Sequence, residues 1–211
     1  MHRDTSPVDL LLIRHAQTHS NLTRALDTAV PGADLTDLGR EQVARLAEDL
    51  REEPLEGIWS SPTTRARLTA AALAEPRGLV VQEREGLKEI GAGDHEMSVV
   101  EEHGSLYRQM VLDWLAGRLD RQLPGGEDGL AALGRFDAVV EEVVASGVDH
   151  AAVVAHGAIL RAWCGARAAQ LPAELPREHL LPNTGRVRLV GDGSQWTATR
   201  WDDVVLAPGA P

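Results

Sequence analysis

The sequence is poor in several residue types, and each scarcity excludes a class of protein or of contact. Among its 211 residues there is 1 cysteine, so no disulfide can form within the chain. The 21 Lys and Arg residues are outnumbered by 32 Asp and Glu residues, which gives a formal net charge of −11. Such a chain does not offer the broad basic surface that binds nucleic acid or an anionic membrane. Any anion that it binds must therefore meet a local positive site.

Long apolar runs are also missing. No segment reaches the roughly 20 residues that a membrane-spanning helix needs, and the first residues, MHRDTSPVD, lack the apolar segment of a secretory signal. Together with the lone Cys164, these features predict a cytoplasmic protein. Aromatic residues are scarce at 3%, whereas 43% hydrophobic and 25% charged residues are ordinary for a folded protein. We expect one domain that covers residues 1–211.

Short apolar runs alternate with helical patterns along the chain. The run VDLLLI, residues 8–13, is almost wholly apolar, and apolar residues recur at helical spacing between residues 37 and 53. This alternation predicts an α/β fold, a three-layer α/β/α sandwich with a mostly parallel central sheet. Two β-like stretches around a GDGS turn, residues 185–202, add an antiparallel C-terminal edge. Residues 98–129 fall outside the alternation, and we expect a helical insertion there, over the end of the sheet that carries the candidate active site.

Polar residues follow three of the predicted strands, at the edge where α/β proteins place their ligand sites. Arg14 and His15 follow the first strand, and His156 and Gly157 follow a later one. Arg65 lies early in the helix after a third strand. Two guanidinium groups and two imidazoles at one edge suit a phosphoryl group, because the planar arginine fork can hold two phosphate oxygens.

A histidine in such a place can attack phosphorus through one ring nitrogen when a hydrogen bond fixes the other nitrogen. The departing oxygen then needs a proton. Glu89, in GLKEIGAG, is the candidate acid, and Glu83, Glu85 and Glu96 are nearby alternatives. No His-Glu-x-x-His motif or cysteine cluster predicts a metal site.

Six motifs occur in order over nearly the whole chain: LLIRHAQTHSN, LTDLGREQV, SSPTTRARLTAA, LKEIGAGDHE, PGGEDG and VVAHGAILRA. Their order and rough spacing resemble those of the histidine phosphatase superfamily, the phosphoglycerate mutase-like proteins. An Arg-His pair after a strand is a weak signal by itself, but six ordered matches make coincidence improbable. The resemblance implies an α/β fold and phosphoryl chemistry that uses no metal and no organic cofactor.

The resemblance also implies catalytic roles for five residues. His15 is expected to become phosphorylated. Glu89 is expected to protonate the leaving oxygen and later to activate water. The phosphate pocket is expected to consist of Arg14, Arg65 and His156.

Further contacts with the substrate are implied at Asn21, at the backbone amide of Gly157 and at Asn183. The sequence PNTG around Asn183 is also an ordinary turn. Arg67 is the alternative to Arg65, and the register of the motif selects Arg65. The same register selects Glu89 among the neighbouring glutamates.

The chain departs from the usual family pattern in three places. Ala16 stands where glycine is usual, and Gln17 stands where glutamate is usual. The sequence GDHEM replaces Gly-Asp-Trp-Glu-Gly, so His95 takes the place of an aromatic residue and Met97 the place of a glycine. We expect Ala16 to be tolerated and Gln17 to remove a negative charge beside the pocket. The GDHEM change is expected to alter the substrate-side wall and to leave the phosphate chemistry intact.

Three functions fit this set of residues. The leading prediction is a metal-independent phosphatase that hydrolyses a small phosphorylated metabolite through phosphohistidine. A phosphoglycerate mutase needs a closed, dry site. In the family, such mutases also have a longer insertion, with additional basic residues, than the segment between Glu89 and His156 of this chain. A non-catalytic protein that binds a phosphorylated ligand is the third. The sequence leaves open the identity of the substrate and the oligomeric state, a homodimer included.

Overall fold

The computed structural model describes residues 7–206. Residues 1–6 and 207–211 lie outside it, and with them most of MHRDTSPVD and both ends of the predicted 1–211 domain. The strands are β1 (Val8–Arg14), β2 (Gly57–Ser60), β3 (Val81–Glu83), β4 (His150–Ala155), β5 (Ala168–Ala169), β6 (Arg186–Gly191), β7 (Trp196–Trp201) and β8 (Val204–Val205). The helices are α1 (His19–Thr23), α2 (Asp37–Asp49), α3 (Thr64–Ala74), α4 (Glu101–Leu115), α5 (Gly129–Ala145), α6 (Gly157–Arg167) and α7 (Glu174–Glu178).

The strands form one sheet in the order β3-β2-β4-β1-β6-β7-β5, with β8 paired to β7. Strands β1 to β4 are parallel to one another, whereas β6 is antiparallel to β1 and β7 is antiparallel to β6. The predicted fold class, with its mostly parallel centre and antiparallel C-terminal hairpin, is confirmed. The antiparallel part begins directly beside the central strand β1 and not only at the outermost strand.

Strand β1 is apolar from Leu10 to Ile13 because both of its faces are covered there. Side chains alternate between the two faces of a strand, and Leu10 and Leu12 pack into an apolar cluster with α5 and α6. Leu11 and Ile13 pack into a second cluster with α2 and α3. These two clusters are the interfaces between the three layers, and they fix the position at which β1 ends and its polar residues emerge.

Helix α2 is shorter than its apolar pattern predicts, ending at Asp49 and not at Glu53. Its first turn is capped by the hydroxyl of Thr36, which accepts a hydrogen bond from the Gly39 amide at 2.9 Å. Beyond its end, carbonyls through Glu53 accept hydrogen bonds from the guanidinium of Arg77. The chain can therefore leave the helix ahead of Pro54, which disfavours helical backbone in the preceding residue.

The predicted insertion at residues 98–129 contains α4 and a long connection to α5. Helix α4 packs against α6 and α7 and buries Tyr107, Met110, Val111 and Trp114 in the apolar cluster that includes α6. The segment thus contributes to the core as well as to the end of the sheet. No helix within residues 7–206 has the length and apolarity to cross a membrane.

Candidate active site

Two parallel neighbours, β1 and β4, bring the two predicted histidines together. Arg14 of β1 pairs in register with Ala155 of β4, so the next residue of each strand emerges at the same edge. The rings of His15 and His156 lie there with centroids 5.1 Å apart. Both rings are buried, His15 with 4% and His156 with 0% of its surface exposed.

The ring of His15 has a defined tautomer. Its Nδ1 lies 2.7 Å from the carbonyl oxygen of Ala16, and because a carbonyl only accepts, Nδ1 carries the proton and donates. Burial, followed by the charges of Arg65 and Arg14, holds the pKa of His15 well below its usual range. The ring is therefore neutral at neutral pH, and the lone pair of Nε2 is available.

The guanidinium groups of the half-buried Arg14 and the buried Arg65 line the cavity beside this ring, each with an unsatisfied N–H. Arg14 donates from Nη1 to the Leu181 carbonyl at 2.6 Å, and its Nε has no partner among residues 7–206. Arg65 donates from Nη2 to the Asp27 carbonyl at 2.8 Å, and its Nη1 lies 3.4 Å from an Asp27 carboxylate oxygen without a hydrogen bond. Buried donors are normally paired, so this arrangement favours an anionic ligand.

The position of Arg65 depends on Gly32, which the sequence analysis did not single out. Gly32 has a φ of +68°, and a Cβ at this position would overlap Nη1 of Arg65. Glycine is thus required here for space as well as for backbone conformation. Arg67, the alternative considered from the sequence, lies outside the cavity, and its Nε is 3.0 Å from a carboxylate oxygen of Glu83 at the surface.

His156 is held by a residue that the sequence analysis also missed. Its Nε2 lies 2.8 Å from Oγ of Ser61, which in turn accepts a weak hydrogen bond from the Thr63 amide at 3.4 Å. When the Ser61 hydroxyl donates to Nε2, the ring proton of His156 lies on Nδ1. That Nδ1 has no partner among residues 7–206. Burial and then the charge of Arg65 hold the pKa of His156 well below its usual range.

Glu89 meets the cavity at the N-terminus of α6. Its carboxylate accepts hydrogen bonds from the amides of Ala158 at 3.0 Å, Ile159 at 2.9 Å and Ile90 at 2.9 Å. The unpaired amides and the dipole of a helix N-terminus favour a carboxylate at this place. The alternative glutamates do not line this cavity: they pair with Arg67, with Lys88 or with the backbone near residue 28.

The two predicted asparagines take different positions. Asn21 lines the cavity, and its Oδ1 accepts hydrogen bonds from the Thr18 amide at 3.1 Å and from Asn183 at 3.0 Å. Asn183 does not line the cavity, in contrast to its predicted contact with substrate. The side-chain nitrogen of Asn183, which donates to Asn21, also donates to the His15 carbonyl at 3.1 Å. In this structure Asn183 thus positions Asn21 and the backbone of His15.

All of the predicted site residues except Asn183 line one cavity of about 200 Å³. The Gly157 backbone lies against Arg14, since a Cβ on Gly157 would be 3.2 Å from Nε of Arg14. No group of three or more His, Cys, Asp or Glu residues in the described part of the chain is arranged to hold a metal ion. Lining residues that the sequence analysis did not select include Asp27, Thr28, Tyr107, Arg161, Leu180 and Leu181.

Comparison with known proteins identifies the family. The sequence profile of the histidine phosphatase superfamily (branch 1) matches residues 10–204. The chain belongs to this superfamily. The predicted family is confirmed, and with it the prediction of a phosphoric monoester hydrolase.

Relatives of this histidine phosphatase include proteins of known structure. A glucosyl-3-phosphoglycerate phosphatase of Mycobacterium tuberculosis is 31% identical over 91% of this chain and 91% of its own length. The structure of a mycobacterial glucosyl-3-phosphoglycerate phosphatase with VO3 matches with a TM-score of 0.79 and 28% identity, over 93% of this chain and 100% of that one. A PE-PGRS family protein of Mycobacterium tuberculosis, PE_PGRS11, is 31% identical over 94% of this chain, which spans 37% of that protein's length.

The departures of this histidine phosphatase from its family pattern lie outside the cavity. The side chain of Gln17 accepts a hydrogen bond from the Thr36 hydroxyl at 2.9 Å. His95 stacks on His103 with ring centroids 4.0 Å apart. The GDHEM segment affects the cavity only indirectly, because the neighbouring Glu96 accepts a hydrogen bond from the amide of Thr28, a lining residue, at 2.8 Å.

Met97, where the family usually has glycine, has a φ of +60°. A residue with a side chain loses about 1–2 kcal/mol of folding stability in this left-handed conformation. Glycine avoids that strain, but it also raises the conformational entropy of the unfolded chain, which cancels part of the gain. We expect Met97→Gly to raise the free energy of unfolding by about 0.5–1 kcal/mol, measured by urea denaturation. Val99→Gly, at an exposed position without positive φ, is expected to lower it. A loss of stability in Met97→Gly would contradict the strain at this residue.

The two buried histidines predict a loss of stability in acid. Their pKa values are lowered in the folded protein, whereas the unfolded chain takes up both protons near pH 6.5. The unfolded state then binds more protons, so the free energy of unfolding falls as the pH drops below about 6.5. We expect each histidine to contribute at most about 1.4 kcal/mol per pH unit.

This acid dependence is measured by urea denaturation at several pH values between about 7.5 and 5.5, where most carboxylates stay ionised. His15→Asn and His156→Asn are each expected to reduce the slope of stability against pH. His19→Asn, at an exposed site outside the cavity, is the matched control and should keep the original slope. An unchanged slope in both cavity variants would show that these rings do not titrate as described.

Proposed function

We propose that this histidine phosphatase hydrolyses a small phosphorylated metabolite without a metal ion, through a phosphohistidine at His15. One observation carries the proposal. A neutral imidazole, with Nδ1 fixed on the Ala16 carbonyl and Nε2 free to attack, lies beside the guanidinium groups of Arg14 and Arg65, each with an unpaired N–H donor. An activated nitrogen nucleophile and preorganised positive charge are the two requirements for phosphoryl transfer to histidine.

In the first half of the reaction, Arg14 and Arg65 bind the non-bridging phosphate oxygens. Nε2 of His15 attacks phosphorus as the bond from phosphorus to the ester oxygen breaks. Glu89, which takes up a proton when a phosphate dianion binds beside it, gives that proton to the ester oxygen, so that a neutral alcohol leaves. The phosphoryl group then remains on Nε2, and Glu89 is a carboxylate.

In the second half, the Glu89 carboxylate takes a proton from a water molecule. The oxygen of that water attacks phosphorus, and the bond between phosphorus and Nε2 breaks. Inorganic phosphate leaves, the lone pair returns to Nε2 of His15, and Glu89 again carries the proton. The Nδ1–H of His156 is available throughout to donate to a phosphoryl oxygen.

The negative charge on the phosphoryl group is balanced by arginine side chains of the protein itself. Arginine stays protonated at every relevant pH, and its planar donors match phosphate geometry. Two such groups supply the electrostatic stabilisation that a metal ion provides in other phosphoryl-transfer enzymes. This supports a reaction that proceeds in the presence of a chelator.

The test is release of inorganic phosphate from a panel of phosphorylated metabolites in the presence of a chelator. We expect release from at least one member of the panel and an acid-labile phosphoryl group on the protein after rapid denaturation. Interconversion of 3- and 2-phosphoglycerate without phosphate release would instead indicate a mutase. Binding of a phosphorylated ligand with neither reaction would indicate a binding protein, and activity that disappears with the chelator would overturn the metal-independent route.

A further inference from the structure

The PGGEDG motif, residues 124–129, has no part in the proposed reaction. None of its residues lines the active-site cavity. It lies instead against the acid loop, residues 86–94, which carries Glu89. The Asp94 amide of this loop donates to the Pro124 carbonyl of the motif at 2.8 Å. The motif is therefore in direct contact with the segment that holds the proposed general acid.

Glu127 of this motif forms an ion pair with Arg135 of α5. Nε and Nη2 of Arg135 donate to the two carboxylate oxygens at 2.8 and 2.6 Å. Because the pairing is bidentate, it fixes the plane of the guanidinium group. Glu127 also accepts a hydrogen bond from the Gly91 amide of the acid loop at 3.1 Å. One side chain of the motif thus holds both Arg135 and the acid loop.

The remaining donors of Arg135 all bind carbonyls of the acid loop. The Glu127 carboxylate uses one N–H of Nε and one of Nη2. Nη1 donates to the Gly86 and Lys88 carbonyls, each at 2.7 Å, and Nη2 donates to the Glu89 carbonyl at 3.1 Å. Every N–H of the guanidinium group is then paired. A loop has no ladder of backbone hydrogen bonds, so Arg135 supplies the donors that a sheet or helix would provide.

These contacts act on the backbone of Glu89, whereas its carboxylate is held separately at the start of α6. In the proposed reaction the carboxylate gains and loses a proton, so the strength of its own hydrogen bonds changes during the cycle. The bonds from Arg135 do not change in this way, because arginine stays protonated. The Tyr107 hydroxyl adds another bond of this kind, to the Ile90 carbonyl at 2.8 Å. The backbone contacts therefore keep Glu89 in place in both of its protonation states.

We propose that Arg135, oriented by Glu127, is a positioning residue for the general acid. This rests on the proposed phosphatase function, in which Glu89 transfers a proton in both half-reactions. Arg135 does not line the cavity, so it acts through Glu89. A displacement of a reacting group by about 1 Å can lower a rate by about 100-fold. Loss of Arg135 should therefore slow the steps that need proton transfer by Glu89 and spare the others.

The test compares ethyl phosphate, whose leaving group needs a proton, with p-nitrophenyl phosphate, whose leaving group does not. Rapid quenching of a single turnover gives the rate at which phosphohistidine forms from each ester. We expect Arg135→Gln to slow this step about 10- to 100-fold with ethyl phosphate and less than about 3-fold with p-nitrophenyl phosphate. Arg135→Lys keeps the charge but offers a single nitrogen, so it should restore only part of the rate.

Two further variants accompany this comparison. Glu127→Gln removes the charge that orients Arg135 and should show the same selective slowing to a smaller extent, so the test stands even if Arg135→Gln does not fold. Arg84→Gln is the matched control. Arg84 makes a similar bidentate pair, with Glu142 of α5 at 2.7 and 2.6 Å, but its other donors lie against residues 82 and 83 and not against the acid loop. It should keep wild-type rates with both esters.

A double variant shows whether Arg135 acts through the acid. Added to Glu89→Gln, Arg135→Gln should cause little further loss with ethyl phosphate, because residues that act as a unit are not additive. Equal slowing of both esters by Arg135→Gln, or its full effect in the double variant, would overturn the positioning role.

The same measurements judge the proposed function separately. If Glu89→Gln slows ethyl phosphate selectively and Arg135→Gln does not, the proposed reaction stands and the positioning role of Arg135 is wrong. If the wild type forms no phosphohistidine from either ester, the proposed function fails, and the positioning role fails with it.

Discussion

His15→Ala is expected to lower kcat/KM for phosphate release by about 10⁴- to 10⁶-fold, the range seen when an enzyme loses its nucleophile. Within residues 7–206, the variant removes the only buried ring that combines a fixed Nδ1–H with an unprotonated Nε2 beside Arg14 and Arg65. The two guanidinium groups stay, so affinity for inorganic phosphate should change far less than turnover. Phosphate-release assays measure the loss of turnover, and calorimetry with inorganic phosphate measures the change in affinity.

The matched control for this variant is His19→Ala, because His19 is exposed and lies outside the cavity. It should retain wild-type turnover. Rapid denaturation after mixing with substrate should trap phosphohistidine in wild type and control but not in His15→Ala. Undiminished turnover in His15→Ala would eliminate the phosphohistidine route, and phosphate trapped on another residue would reassign the nucleophile.

The strands that carry this site could be predicted because their apolar runs end abruptly in polar residues. Strand β1 is buried on both faces, so its sequence shows no alternation, and Arg14 and His15 mark its end. The same pattern identified β4 and His156. Sequence does not reveal, however, that β1 and β4 are neighbours, because this pairing joins residues far apart in the chain. The six family motifs provided that information indirectly.

Residues that support the site from loops and helix faces were not predictable in this way. Gly32 leaves space for Arg65 only because an irregular loop passes beside α3, and no periodicity marks such a contact. Ser61 meets His156 through the alignment of β2 with β4. Arg161 stands in the last motif, but an arginine in a helix is normally solvated. Its burial follows from the packing of α6 against α4 and α7.

Glu89→Gln is expected to lower kcat for an alkyl phosphate by about 10²- to 10⁴-fold, the usual contribution of a general acid or base. The glutamine side chain keeps one oxygen, which can accept from the amides of Ile90 and Ile159, so the start of α6 should remain partly capped. With p-nitrophenyl phosphate the leaving group needs no proton, and the first step should be nearly normal. Activation of water still requires the carboxylate, so the second step should be slow.

This difference between the two half-reactions gives Glu89→Gln a distinct kinetic pattern. With p-nitrophenyl phosphate we expect a burst of nitrophenolate equal to the enzyme concentration, together with accumulation of phosphohistidine on His15. With an alkyl phosphate neither should appear, because the first step itself is blocked. Glu85→Gln, at an exposed position that pairs with Lys88 at 2.9 Å, should behave as wild type. Equal slowing of both esters without a burst would indicate that Glu89 only positions α6, since its carboxylate would then transfer no proton in either step.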